Sequence, residues 1–170
     1  MMWHKTFLLS AGLLLASATI ALADDPVSMG TFDDWESFTY KSAGAPVCYI
    51  YSVPKKSDSA KKVKRDPVYF LITNFPGRSI IGQVSTIIGY PFKESSTITV
   101  KVDDTSFELY TNGDAAWAAA VETEAAIVKA MKNGKSLTVT GTSWKGTETT
   151  DTYSLTGVSK ALDKIDNGCK

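Results

Sequence analysis

The stretch TITVKVDDTSFELY, residues 97–110, decides the fold class of this chain. In residues 97–103 and 106–110 apolar side chains alternate with polar ones, a period of two that is typical of half-buried strands. Only Asp104 and Thr105 separate the two segments. Because so short a connection joins antiparallel strands, we predict a tight β-hairpin.

Similar short segments, rich in β-branched and aromatic residues, flank the hairpin on both sides. They are too closely spaced for the crossover helices of a parallel sheet before residue 115. We therefore predict a mainly β fold, an antiparallel β-sandwich or open barrel of seven to eight strands with two short helices. The predicted strands span residues 35–40, 47–53, 68–74, 80–88, 97–103, 106–110, 136–142 and 149–155.

The two helices are predicted from apolar residues at helical spacing. The first lies before the last hairpin, in the latter part of the Ala-rich stretch 115–131, and Gly134 caps it. The second is C-terminal, begins at Val158 and ends at Gly168. We expect both helices to cover one end or one edge of the sheet.

Residues 1–23 are predicted to be a cleavable secretory signal. Lys5 precedes an apolar run of 16 residues, 7–22, and Ala21-Leu22-Ala23 supplies the small side chains of a cleavage site. The alternative is an uncleaved anchor, but a spanning helix needs about 20 apolar residues. No other segment is long and apolar enough to span a membrane. We expect cleavage after Ala23 and a periplasmic or secreted mature protein.

The mature chain is expected to contain one domain. Removing the signal leaves 147 residues, which suits a single domain. We expect residues 24–31 to be a flexible leader and residues 32–170 to form a single β-rich domain.

The charge pattern argues against a nucleic-acid partner. The chain has 18 basic and 18 acidic side chains, and Lys5 is the only charged one in the predicted signal, so the mature net charge is about −1. Such a balance gives no general attraction to a polyanion. Arg65 and Arg78 are the only arginines, the residue type that most often binds phosphate and guanine bidentately.

The two cysteines, Cys48 and Cys169, are predicted to form a disulfide. An exported protein enters an oxidising compartment, where an even number of cysteines usually means pairing. The alternatives are a reactive thiol and an intermolecular bridge. A catalytic thiol normally needs a nearby histidine or other cation.

No catalytic residue, metal site or cofactor is predicted for the mature chain. Its only histidine, His4, lies in the signal, so the common nucleophilic triads lack their base and zinc lacks its usual nitrogen ligand. We interpret the acidic pairs Asp33-Asp34 and Asp103-Asp104 as turn and strand-entry residues. A carboxylate-dependent hydrolase of envelope glycans stays open as an alternative, because its two acids can lie far apart in sequence.

Three tryptophans of the mature chain are interpreted as structural. Aromatic side chains bury the largest areas in protein cores. We therefore expect Trp35, Trp117 and Trp144 to be core or core-edge residues rather than a platform for sugars.

The polar segment between Pro54 and Pro67 is the best candidate contact site, and we call it the basic loop. One interpretation is a solvated loop that protects a sheet edge from pairing, a common role of lysine. The other is an electrostatic patch for a protein or an anionic ligand of the envelope or host. Its basic residues are Lys55, Lys56, Lys61, Lys62, Lys64 and Arg65.

Several short motifs of the mature chain are specific as a set. They are Asp34-Trp35, Val47-Cys48-Tyr49 with the following Pro-Lys-Lys, Gly113-Asp114-Ala115-Ala116-Trp117, Met131-Lys132-Asn133-Gly134-Lys135, Thr149-Thr150-Asp151-Thr152-Tyr153-Ser154-Leu155 and Cys169-Lys170. On these motifs the chain resembles the invasion-associated locus B family of exported bacterial proteins, many of them from α-proteobacteria, and the resemblance covers most of the mature chain. Many members have an additional central cysteine pair that this chain lacks, so it resembles a shorter, one-disulfide branch.

The resemblance implies a periplasmic or envelope-associated protein, linked in some pathogens to entry into host cells. It implies no agreed active site or cofactor, so no functional residue is transferred. Our leading hypothesis is a non-enzymatic envelope protein that binds a partner or ligand. The alternatives are the glycan hydrolase and a structural envelope component.

Overall fold

The structure is a computed structural model that describes residues 25–61 and 64–169. The predicted signal, residues 1–23, lies outside the described residues, as does Lys62 of the basic loop. The strands of the described part are β1 (Val27–Phe32), β2 (Trp35–Ser42), β3 (Ala45–Ser52), β4 (Lys56–Ser59), β5 (Tyr69–Phe75), β6 (Ile80–Ile87), β7 (Thr97–Val102), β8 (Thr105–Asn112), β9 (Ala115–Trp117), β10 (Ser136–Thr142) and β11 (Glu148–Ser154). The α-helices are α1 (Val121–Asn133) and α2 (Val158–Gly168).

These eleven strands form one sheet in which every neighbouring pair is antiparallel. The order is β1-β2-β3-β5-β6-β9-β8-β7-β10-β11-β4, so the sheet is open, with β1 and β4 at its two ends. The predicted mainly β fold with antiparallel strands and two short helices is confirmed. The predicted number of strands, seven to eight, is too low.

The hairpin of residues 97–110 is confirmed as β7 and β8, with its turn one residue earlier than predicted. Val102 pairs with Thr105, so Asp103 and Asp104 form the turn. Asp103 has a φ of 48°, a left-handed conformation that Asp adopts more readily than most residues. Its carboxylate accepts a hydrogen bond from the Ser136 N–H at 3.1 Å, which ties the turn to β10.

The structure corrects the flexible leader that we expected at residues 24–31. Val27–Phe32 forms β1 and pairs with β2, which extends the sheet by one strand. The segment reads VSMGTF and has no regular alternation, and the pairing register shifts at Gly30. A glycine inside a strand commonly marks such a bulge. Because the bulge interrupts the alternation of side chains, the sequence pattern does not predict this strand.

Two further strands were not predicted, one inside the basic loop and one at the start of the Ala-rich stretch. Lys56–Ser59, inside the basic loop, pairs with β11, but its four side chains are polar and exposed and so give no hydrophobic signal. Ala115–Trp117 pairs with both β6 and β8, although its alanines favour a helix. Three residues are too few to show a period, and tertiary pairing decides their conformation.

The sheet folds over so that its inner face encloses the core. Phe70 on β5 and Tyr153 on β11 have ring centroids 5.9 Å apart, although five strands lie between theirs in the sheet order. Trp35 is fully buried and donates its Nε1–H to the Ser154 carbonyl at 3.0 Å. Helix α2 packs on β1, β2 and β3, and α1 packs on β6. Among the described helices, neither has the length and apolar character to cross a membrane.

A disulfide joins Cys48 on β3 to Cys169, the residue after α2. Their Cα atoms lie 5.8 Å apart and both residues are buried. The predicted bridge is therefore confirmed as intramolecular, and neither cysteine is a free thiol. The bond holds α2 against the inner face of β3.

Replacing both cysteines with serine should lower the free energy of unfolding by about 4–5 kcal/mol, because the bond restricts an unfolded chain over a separation of 121 residues. Urea denaturation of the unsubstituted protein and of C48S/C169S, each with and without dithiothreitol, measures the effect. Reduction should bring the unsubstituted protein to the stability of the variant and leave the variant unchanged. Equal stability of the oxidised protein and the variant would contradict this expectation.

Candidate functional site

The outer face of β2, β3 and β5 carries a cluster of aromatic rings, which we call the aromatic face: Phe38, Tyr40, Tyr49, Tyr51 and Tyr69. Side chains alternate between the two faces of a strand. Trp35 and Ser37 on β2 and Cys48 and Ile50 on β3 are buried on the inner face. The residues between them therefore point outward, and strand pairing brings their rings together.

The rings of the aromatic face touch one another in a continuous series. Phe38 stacks on Tyr49 and Tyr51, with centroids 5.6 and 5.8 Å apart. Tyr40 meets Tyr49 edge to face at 6.1 Å. Tyr51 and Tyr69 stand nearly perpendicular, at 88°, with centroids 5.4 Å apart. Offset stacking and edge-to-face contact are the arrangements that aromatic pairs prefer, so the cluster is a pre-formed surface.

An open groove of about 620 Å³ runs along this face. Ten residues line it, none of them charged, and each ring of the aromatic face is only partly exposed. The residues that complete the lining are Pro26, Leu71, Thr73, Phe75 and Ile87. A concave, mostly apolar surface with a few polar groups is the usual character of a ligand site.

Glu36 on β2 pairs directly across from Tyr51, which lines the groove. Burial and the neighbouring Glu36 carboxylate raise the pKa of the Tyr51 phenol to about 12. Burial, with Tyr40 and Glu36 nearby, also raises the pKa of Tyr49. Both phenols are therefore neutral at physiological pH and offer hydroxyl groups beside their apolar rings.

Sequence reasoning did not find the aromatic face, although a signal for it exists. Tyr49 and Tyr51 alternate with Cys48 and Ile50, so one pair faces the core and the other faces out. Both pairs are hydrophobic enough for either position. The predicted disulfide could have decided the matter, because it places Cys48 inside.

Three cations of the basic loop, Lys55, Lys56 and Arg65, form ion pairs with carboxylates. Lys55 Nζ lies 2.5 Å from the Asp34 carboxylate and Lys56 Nζ lies 2.7 Å from Asp58, in both cases near solvent. Ion pairs of this kind contribute little to stability. The other lysines of the loop in the described residues, Lys61 and Lys64, line a separate small pocket.

Arg65 is a structural residue of the loop. Its guanidinium forms a bidentate pair with Asp151, at 2.5 Å (Nη2 to Oδ1) and 3.0 Å (Nη1 to Oδ2), and Asp151 is fully buried. It also donates to the Ser57 and Thr149 hydroxyls and lies over the Tyr90 ring. Burial opposes its charge, but the Asp151 carboxylate outweighs burial and raises the pKa of Arg65. Arg65 therefore fastens the loop to β11 and is not available to a partner.

Trp144 is corrected from a core or core-edge residue to an exposed one. It is 62% exposed, on the turn between β10 and β11, whereas Trp35 is buried and Trp117 is partly buried as expected. The Lys145 ammonium lies 4.9 Å from the centre of its ring. Trp144 and Lys145 line a pocket of about 250 Å³ with Lys61 and Lys64. Lys61 and Lys64 of the basic loop thus lie near the Trp144 ring and near a third lysine, Lys145, which is distant in sequence.

The carboxylates of the described residues do not converge in any of the larger cavities. Glu94 is the one carboxylate lining a groove beside Trp144, and Asp166 is the one in the groove between α1 and α2. Glu124 is buried but accepts a hydrogen bond from the Val84 N–H at 3.2 Å, and burial raises its pKa. It anchors α1 to β6. Residues 25–61 and 64–169 also contain no group of three side chains placed to hold a metal.

These observations define a class of protein: an open antiparallel sheet of eleven strands, with two helices and a disulfide between β3 and the end of α2. The chain belongs to the family described as Invasion associated locus B (IalB) protein, whose model matches residues 35–166. The match confirms the family resemblance deduced from the sequence motifs. It covers the aromatic rings of β2, β3 and β5, the basic loop and Trp144.

A solved structure shares the fold. The crystal structure of invasion associated protein B from Bartonella henselae superposes with a TM-score of 0.57, covering 83% of this chain and 95% of the other. The two sequences are 15% identical, so the likeness concerns the fold. No curated protein matches this chain in sequence.

Arg65→Ala should lower the free energy of unfolding by about 3–5 kcal/mol, because it leaves the buried Asp151 carboxylate without its partner. Lys55→Ala, which removes an exposed ion pair, should cost no more than about 1 kcal/mol. Chemical denaturation of both variants measures the difference. If both substitutions lowered the free energy of unfolding by the same small amount, Arg65 would not anchor the loop.

Proposed function

We propose that this protein is an exported, non-enzymatic binding protein of the bacterial envelope, and that the aromatic face is its binding surface. The observation that carries the proposal is the continuous series of five aromatic rings on the outer face of β2, β3 and β5. In contrast, α2 covers the inner face of β2 and β3. Aromatic residues concentrate binding energy at interfaces because they bury much area at little cost in conformational entropy.

Two features support the exported location. Residues 1–23 have the layout of a secretory signal with cleavage after Ala23, and the Cys48–Cys169 disulfide suits an oxidising compartment. The mature protein is then periplasmic or secreted. Because the family's description names invasion, host-cell surfaces belong among the partners to be tested.

A photo-crosslinking amino acid at Tyr49 should form adducts in living cells, because this position is at the centre of the aromatic face. Tyr110, a 48% exposed tyrosine on β8, is the matched control position. Adducts separated by electrophoresis and identified by mass spectrometry should contain the mature chain that starts at Asp24. If both positions gave the same adduct in the same yield, or if position 49 gave none, the aromatic face would be refuted as the binding surface. Either result would favour a structural envelope component.

The second candidate function is binding of an anionic ligand at the pocket of Lys61, Lys64, Trp144 and Lys145. The exposed Trp144 ring favours it, because a ring of this kind can stack on a sugar while the lysines neutralise acidic groups. This proposal keeps the contact role of the basic loop for Lys61 and Lys64. Lys55, Lys56 and Arg65 are already paired with carboxylates, and Lys62 lies outside the described residues.

The triple variant K61S/K64S/K145S should lose most binding to a sulfated or uronic-acid polysaccharide, and the loss should be larger at low salt because screening weakens exposed charges. Retention on heparin, with elution by salt, provides the measurement. The control is K129S/K132S/K135S, which removes three lysines in and just after the end of α1. If both triple variants eluted at the same lowered salt concentration, net charge alone would explain the retention, and a local site would be contradicted.

A further inference from the structure

We propose that the corner formed by Tyr51 and Tyr69, beside Glu36, binds the trimethylammonium group of a small choline-type molecule. The proposal rests on the aromatic face being the binding surface and names the class of ligand that this surface takes.

The geometry of the two rings provides the walls of the site. The ring planes of Tyr51 and Tyr69 are 88° apart and their centroids are 5.4 Å apart, so the rings touch edge to face and their outward surfaces meet at a right-angled corner. Phe38 stacks beside Tyr51, and Ile87 pairs with Tyr69 across β5 and β6. The corner opens into the groove of about 620 Å³, which leaves room for the rest of a ligand.

The charge of the corner selects a cation. The faces of aromatic rings are electronegative, and a cation within about 6 Å of a ring centre is attracted to them. Glu36 adds a carboxylate across from Tyr51, and no lysine or arginine lines the groove. At the other end of β5, the Arg78 guanidinium lies 5.1 Å from the centre of the Phe75 ring, so a ring of this groove already holds a cation of the protein.

The character of the walls selects a quaternary ammonium over a primary one. A lysine-type ammonium is strongly hydrated and has three N–H groups that need acceptors. Removing it from water without such acceptors is costly. The lining of the groove is mostly ring carbon and aliphatic carbon, and its side-chain acceptors are the phenol oxygens and the Thr73 hydroxyl. A trimethylammonium group has no N–H, spreads its charge over methyl groups and suits apolar walls.

The test compares choline with 3,3-dimethylbutan-1-ol, which has the same shape and no charge. Titration calorimetry of the mature protein should show choline binding at least about tenfold tighter than the neutral alcohol, because only the cation gains from the rings. Equal affinity of the two, or no binding of choline, overturns the proposal. Binding to phosphatidylcholine vesicles without binding to choline also overturns it, since the ligand would then be a membrane surface.

Substitutions assign the binding to the corner. Tyr51→Leu should weaken choline binding about tenfold or more, whereas Tyr51→Phe, which keeps the ring, should retain it. Glu36→Gln should weaken it about threefold, and Tyr110→Leu on β8 should leave it unchanged. Thermal unfolding by circular dichroism verifies that each variant is folded. Equal loss in Tyr51→Leu and Tyr110→Leu would refute the assignment.

The outcome can be separated from that of the proposed function. Adducts at Tyr49 in cells together with no binding of choline would preserve the aromatic face as a binding surface and reject the cation. Binding of choline that Tyr51→Leu abolishes would support the site even in a strain that yields no protein adduct.

Discussion

The inward position of Cys48 is the constraint on which the rest of the structure depends. In a strand, a shift of one residue exchanges the two faces. Strand β3 could bury either Cys48 and Ile50 or Tyr49 and Tyr51, since both sets are hydrophobic. The bond to Cys169 requires the first choice, and it holds α2 on the same side. Core, helix position and aromatic face are therefore three results of one choice of register.

A second constraint acts where the chain passes from β3 to β4, which lie far apart in the sheet order. A short edge strand with four exposed polar residues has little hydrophobic stabilisation of its own. The Arg65–Asp151 pair supplies a directed contact instead, and Ser57 joins it through hydrogen bonds to both residues. A buried pair of this kind adds little net stability compared with an apolar core, but it specifies one position for the loop.

The fold was predictable where the chain is locally regular. The alternation of β7 and β8, the helical spacing of α2 and the pairing of two cysteines in a chain with a predicted secretory signal follow from local pattern or composition. Strands β1, β4 and β9 were not predicted, because the bulge in β1, the four exposed polar residues of β4 and the two alanines of β9 give no alternation of apolar and polar residues. The partner of Arg65 is 86 residues away, so its role could not be deduced from neighbours in sequence. The exposure of Trp144 likewise depends on the path of the β10–β11 turn.

The separation of the two cysteines has a consequence for how the molecule matures. Cys48 emerges early from the ribosome, whereas Cys169 follows only after all eleven described strands. The bond between them can therefore form only when nearly the whole chain has been made. With only two cysteines, the chain has no wrong internal partner to choose, so its oxidation needs a donor of disulfides and no isomerase.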